Sequence, residues 1–308
     1  MPLSHSRPCI KLRKCSVPGM KLLRFSLSIL AVAGAALAPG APAQAAGGGF
    51  VRSSATCGSG KAVFSGGAAV NGSGSADFKT SIQESAPGSA SGLAVWLSAV
   101  KNNDTVSHTL GLYAVCADTP ARYQIVRTDV TVAAGGYSRN VATCPGGTVV
   151  LGGGAAVVGS GSADFKTSIQ ESAPGVSGSL SVWLTSVRNN DTVAHTIGHY
   201  AVCAVPFPGY HTVSTPHTVA AGGFLRTLAY VCPAGEVILT GGEQVVGAGS
   251  GDFNIRLQEN APDSTSSAGL WMVSLRNNGT VARTINVYSV CAPPPAGYMI
   301  NLVPVTVS

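Results

Sequence analysis

Three pairs of cysteines, Cys57/Cys116, Cys144/Cys203 and Cys232/Cys291, each stand 59 positions apart in a chain of 308 residues. Each segment opens with Cys-x-x-Gly and closes in a strand-like run that reads YAVCA, YAVCA or YSVCA. Between those ends no residue is gained or lost, whereas the connectors differ, at 28 positions from Cys116 to Cys144 and 29 from Cys203 to Cys232. One backbone path is therefore used three times, and the cysteine-bounded segment is its unit. An even set of cysteines behind a secretion signal reads as a disulfide framework. Two pairings respect the repeat: each segment closes on itself, or Cys116–Cys144 and Cys203–Cys232 bridge neighbours while Cys57 and Cys291 close a ring. Self-closure is the expectation, because a crosslink over such a loop can add on the order of 4 kcal/mol to a small core. No Cys-x-x-Cys pair or Cys/His cluster offers a zinc site.

The stretch GSGSADFKTSIQESAPG occurs at 72–88 and again at 159–175, with GAGSGDFNIRLQENAPD at 247–263. Modules beginning at AAGG-like turns span 46–132, 133–219 and 220–308, about 87 residues each. Three similar domains packed together are expected; one closed body with pseudo-threefold symmetry is the alternative that tandem copies permit.

Residues 1–45 read as a targeting segment. Met20-Lys21-Leu22-Leu23-Arg24 is a short basic start, Phe25 to Ala38 is largely apolar, and Ala43-Gln44-Ala45 suits a signal peptidase, with Met20 the expected true start. Such a run is too short for a lasting membrane anchor, so a secreted, extracellular product without stable membrane insertion is expected. Six of the nineteen Lys and Arg precede residue 46 and none of the thirteen Asp and Glu does, which leaves thirteen of each sign beyond it. That neutral remainder gives no electrostatic case for nucleic acid.

Short runs punctuated by glycine and proline, with no helical periodicity beyond the leader, predict an all-β protein of antiparallel, β-sandwich-like repeats. In the second copy strands are expected at 123–132, 137–143, 148–158, 164–172, 180–189 and 195–204. The glycine pairs Gly66-Gly67, Gly152-Gly153 and Gly241-Gly242 lie inside strand patterns, where glycine marks a bulge or a close backbone approach. The VWL run is apolar on both faces and reads as a central strand.

Trp96, Trp183 and Trp271 occupy equivalent positions and are either core residues or platforms on which sugars stack. Asp77, Asp164 and Asp252, with Gln83, Gln170 and Gln258, form the polar face of the repeated strand and complete the candidate ligand-binding set. Regular alternation puts Asp164 and Glu171 on opposite faces, which gives no paired-carboxylate mechanism. One Asp per loop falls short of a calcium shell. His108, His195 and His199 read as surface polar residues, and no nucleophile elbow, zinc-protease helix or phosphate loop occurs. No enzyme activity, cofactor or metal is expected.

The run Cys144-Pro145-Gly146-Gly147, Gly152-Gly153-Gly154, Trp183, Asn189-Asn190 and Tyr200-Ala201-Val202-Cys203 resembles a repeat of secreted proteins from actinobacteria and similar bacteria. The first copy departs from it at Cys57-Gly58-Ser59-Gly60, which lacks the proline. The resemblance implies secretion and a disulfide-closed module, and no substrate. The function expected first is multivalent, non-catalytic binding to a repetitive target such as a cell-surface polysaccharide; the alternative is a structural coat or matrix component without a ligand.

Overall fold

The computed structural model describes residues 48–71, 77–159, 164–229, 231–247, 252–263 and 269–308. The leader expected over 1–45 and the Gly-Ser stretches 72–76, 160–163 and 248–251 lie outside the described residues. The first repeat supplies β1 (Phe50–Thr56), β2 (Lys61–Val70), β3 (Thr80–Ala90), β4 (Leu93–Asn102), β5 (His108–Asp118) and β6 (Gln124–Val132). The second supplies β7 (Tyr137–Thr143), β8 (Val149–Val157), β9 (Thr167–Ser177), β10 (Leu180–Asn189), β11 (His195–Ala204) and β12 (His211–Val219). The third supplies β13 (Phe224–Leu228), β14 (Val237–Val245), β15 (Ile255–Asp263), β16 (Leu270–Asn277), β17 (Arg283–Ala292) and β18 (Met299–Val307). The strands expected in the second copy are all present. The main difference is β9, which starts later and runs through Ala173-Pro174-Gly175. Proline is tolerated there because β9 meets its other neighbour, β14, only at Ser172, so beyond that point one edge has no ladder bond to lose.

The chain forms three six-stranded antiparallel sheets, ordered β1-β4-β3-β8-β11-β6, β7-β10-β9-β14-β17-β12 and β13-β16-β15-β2-β5-β18. No sheet belongs to one repeat. Strands β1, β3 and β4 of the first repeat continue into β8 and β11 of the second, and the connecting strand β6 pairs with β11. The last strand, β18, returns to pair with β5 of the first repeat from Met299↔Cys116 to Val307↔His108, which closes the cycle. The three repeated β modules are present, and each sheet draws its strands from two of them. The repeats are interlocked, and the described residues from 48 to 308 belong to one compact unit.

Repeats meet in each sheet twice: the last strand of one forms a full ladder with its neighbour, and at the sheet centre the contact is a single bridge, Ser85↔Ala155, Ser172↔Glu243 or Asn260↔Ala68. Glycine is what lets the strands come this close. A Cβ on Gly154 would lie 1.8 Å from the Ser85 carbonyl oxygen, and one on Gly153 would lie 2.3 Å from the Trp183 ring. Each first-half strand also carries a bulge. Register slips at Phe64 in β2, Leu151 in β8 and Leu239 in β14, and all three side chains are fully buried. A bulge re-aims a residue that regular pleating would send elsewhere; here it delivers one large apolar side chain per repeat to the shared core. The Ser65 hydroxyl donates to the Leu239 carbonyl there.

The disulfides close each repeat on itself, Cys57–Cys116, Cys144–Cys203 and Cys232–Cys291, as self-closure requires. Their effect is between sheets. Cys57 directly follows β1 of the first sheet and Cys116 lies in β5 of the third; Cys144 follows β7 of the second and Cys203 lies in β11 of the first; Cys232 follows β13 of the third and Cys291 lies in β17 of the second. Each pair of sheets is stapled once. These bonds suit an oxidising compartment.

Equivalent positions that differ among copies are informative. Leu112 and Val287 correspond to His199, which is fully buried between Thr185 and Ser138 and is not a surface residue. Burial pushes its pKa down to about 4, against a smaller opposing pull from Asp129. The folded protein therefore resists protonation that the unfolded chain accepts at about pH 6.5. Two outcomes follow for stability. Wild type loses about 3 kcal/mol through this residue as pH falls from about 6.5 to 4, a loss that His199→Leu removes; urea melts of both proteins across that range measure the difference. Gly154→Ala destabilises by about 3 kcal/mol or more through its backbone clash, whereas Gly146→Ala, which meets nothing within 4 Å, changes the urea midpoint little.

Candidate functional site

The repeated aspartate, lysine and glutamine positions gather at one end of the body, where β3, β9 and β15 begin. Asp77, Asp164 and Asp252 each accept a hydrogen bond from the backbone amide two residues on, at Lys79, Lys166 and Asn254. Those three residues have φ of 52, 52 and 53°, a left-handed turn that the aspartate stabilises. The turn precedes the strand and delays its start relative to the regular alternation expected from Asp164 onward. The following bulge at Gln83, Gln170 and Gln258 breaks the alternation again, so faces assigned from a regular strand do not hold here.

Each aspartate is held by the preceding repeat. Asp164 Oδ1 accepts from Gln83 Nε2 at 2.8 Å and Oδ2 from Lys101 Nζ at 2.9 Å. Asp252 is bound in the same way by Gln170 at 2.8 Å and by Arg188. Asp77, from the first repeat, is bound by Gln258 at 2.7 Å and by Arg276 of the third. The three clasps form a closed cycle. Burial pushes the Asp77 and Asp164 carboxyls towards protonation, but the hydrogen bonds and cations outweigh it and hold both below the usual carboxylate range. These carboxylates are anions with their oxygens already engaged.

The glutamines are buried, and so are the tryptophans, each 1% exposed. Trp96 and Trp183 donate through Nε1 to Ser85 and Ser172, at 2.9 and 3.0 Å, and Trp271 donates to Asn260. A sugar has no face of these rings to stack on, which corrects the platform reading and leaves the tryptophans as core. Asn102, Asn189 and Asn277 are likewise buried; the Asn189 amide donates to the carbonyls of Val132, Ala133 and Val193 and pins the Asn-Asn turn.

Sequence reasoning missed the most demanding group. Glu84, Glu171 and Glu259 are fully buried. Each pairs with an arginine of its own repeat, Arg52 at 2.5 Å, Arg139 at 2.8 Å and Arg226 at 2.7 Å. Each also accepts the backbone amide of the next repeat, from Val157, Val245 and Val70 at 2.8, 2.9 and 2.8 Å. The signal was present as an arginine 32 or 33 positions before each QE dipeptide, a separation too long to read as a pair from one chain.

Three cavities are lined by described residues of interest. Two, of about 290 and 280 Å³, lie at the clasp end and share Asn103 and Arg256. A third, of about 600 Å³, lies between the second and third repeats and includes Tyr210, Tyr288, Gln244, Thr212 and Ser181. The grouping of His211, Glu236 and Cys291 is not a ligand set, because the Cys291 sulfur is bonded to Cys232. Nowhere among the described residues do an activated nucleophile, a base and an oxyanion pocket converge.

Asp164→Asn weakens the clasp to Gln83 and Lys101 and costs about 1–3 kcal/mol at pH 7. Because the folded carboxyl titrates below its unfolded value, that contribution is present above about pH 3.8 and is lost as pH falls further. The gap between wild-type and variant denaturant midpoints should therefore narrow below that pH.

No protein-family model matches this chain, and no curated protein matches it either.

Proposed function

We propose that this is a secreted, non-catalytic structural protein whose three repeats serve to build one durable body. The supporting observation is the use made of the repeated polar residues: the Asp-Gln-cation clasps and the Arg-Glu-amide junctions all run from one repeat to the next. Residues that could have presented three equal sites to a polymer are consumed in holding the copies together. Identical segments are needed because a cyclic junction demands the same donor and acceptor geometry three times. Three inter-sheet disulfides, a neutral charge balance beyond the leader and short glycine-rich strands suit a coat or matrix component exposed to an extracellular milieu.

A second reading has its own support. The cavity of about 600 Å³ combines two tyrosines, an amide and several hydroxyls, a lining suited to a neutral saccharide. Its makeup depends on Gln244, where the other copies have Ala69 and Ala156, so it would be one site per chain and not three.

Sedimentation of the intact protein, with and without a panel of neutral bacterial polysaccharides, separates the two. Concentration-dependent assembly without glycan is the expected result. A strictly monomeric protein that binds a polysaccharide, and loses that binding in Tyr288→Ala, would replace the structural reading with single-site recognition.

A further inference from the structure

The clasp end is nearly threefold, and its departures from symmetry fall in the third repeat. Lys79 and Lys166 correspond to Asn254, and Asp104 and Asp191, which pair with those lysines, correspond to Gly279. The third copy thus lacks both members of one ion pair, and it carries Arg283 where the others have His108 and His195 beside that aspartate. Ser81 and Ser168, which are buried at the start of β3 and β9, correspond to Arg256 in β15. Nothing offsets that change. The five aspartates of this end, Asp77, Asp104, Asp164, Asp191 and Asp252, are each paired with one of Arg276, Lys79, Lys101, Lys166 and Arg188. Two arginines of the third repeat are left over: Arg283, in the place of His108 and His195, lies over the Phe253 ring, and Arg256 has no hydrogen-bonded or ion-paired partner among the described residues.

Its surroundings sharpen the point. The cavity of about 280 Å³ is lined by Lys79, Asn103, Arg256, Arg276 and Asn278, three cations and two amides without a carboxylate. Its neighbour of about 290 Å³, reached past the same Arg256 and Asn103, adds Lys101 and Lys166, with Asp164 already held by Gln83 and Lys101. Burial and the nearby Arg276 both disfavour the charged form of Arg256, against a smaller pull from Asp77. A half-buried guanidinium facing other cations across an amide-lined cavity lacks a counter-charge, and the fork of a guanidinium matches two oxygens of one anion.

We propose that this end binds a tetrahedral oxyanion, sulfate or phosphate, with Arg256 as the principal ligand and Lys79, Arg276, Asn103 and Asn278 as supporting donors. The anion is either free in solution or carried as an ester on a polymer, and the site is single because only the third repeat has the arginine. The proposal does not depend on the structural or saccharide reading above.

The test is isothermal titration of the intact, disulfide-bonded protein at low ionic strength with sodium sulfate, sodium phosphate and, as control, sodium chloride. Dextran sulfate and unmodified dextran form the second arm. Saturable binding of sulfate or phosphate at one site, absent with chloride, is expected, and Arg256→Ser, the residue of the other two copies, should weaken it about tenfold or more. Arg256→Gln, which keeps the stem without the charge, should do the same, and thermal melts confirm that both variants fold. Arg256-dependent binding of dextran sulfate far tighter than inorganic sulfate would identify a polymer ester as the source; inorganic binding without polymer preference would identify the free anion. Absence of binding in both arms, or binding unchanged in the two variants, would overturn the proposal.

Discussion

The structure depends on a carboxylate placed where a β-ladder stops. At the centre of each sheet successive repeats touch through one backbone bridge, and an amide of the next repeat, at Val157, Val245 or Val70, is met there by a side chain. Glu84, Glu171 and Glu259 supply that side chain and are neutralised by Arg52, Arg139 and Arg226. A buried ion pair adds little against a well-packed apolar alternative, but loss of one partner leaves a buried charge and costs about 3–5 kcal/mol. The pair therefore acts mainly to specify geometry. It commits each repeat to dock on its neighbour in one register.

Everything larger follows from that docking. Once β3 is joined to β8, β9 to β14 and β15 to β2, no repeat can complete a sheet alone, and β18 has to return to β5 to close the cycle. The disulfides, local in sequence, then span different sheets because each repeat itself spans two. A bond that looks like the closure of one small module is in effect a staple between faces of a larger body. The third copy shows how far the scheme tolerates change. Glu243 stands where the others have Ala68 and Ala155, fully buried; burial, then the nearby Glu171, raises its pKa well above the usual carboxylate value. Together with His199 it introduces titratable groups into positions the remaining copies keep apolar or small.

Much of the fold was legible in residue order. Strand positions, the cysteine pairing and the reason for paired glycines all follow from local chemistry: Gly153 and Gly154 admit no Cβ, and Asn189 belongs to a turn. The candidate site was legible only in part. Asp164, Gln170 and their counterparts are engaged as clasps between copies. Period-two alternation failed at the left-handed turn of Lys166 and at the bulge of Gln170, and it failed for a reason that propensity does not carry, because a bulge is set by what the strand meets across the interface. Trp183 reads as core, with a sugar platform as the alternative, and its burial decides between them. His199 reads as a surface residue until the facing sheet is in place.

The sequence by itself determined that this chain repeats one disulfide-closed, all-β path three times, since a strict 59-position spacing and glycine-punctuated alternation leave few other foldable solutions. Only the tertiary structure decided that the three paths interlock. Identical segments carry identical donors and acceptors, and nothing in their order says whether a glutamate will meet an amide of its own repeat or of the next. That choice was made by the close approach at Gly67, Gly154 and Gly242, which brings neighbouring copies within hydrogen-bonding distance and turns three repeats into one body.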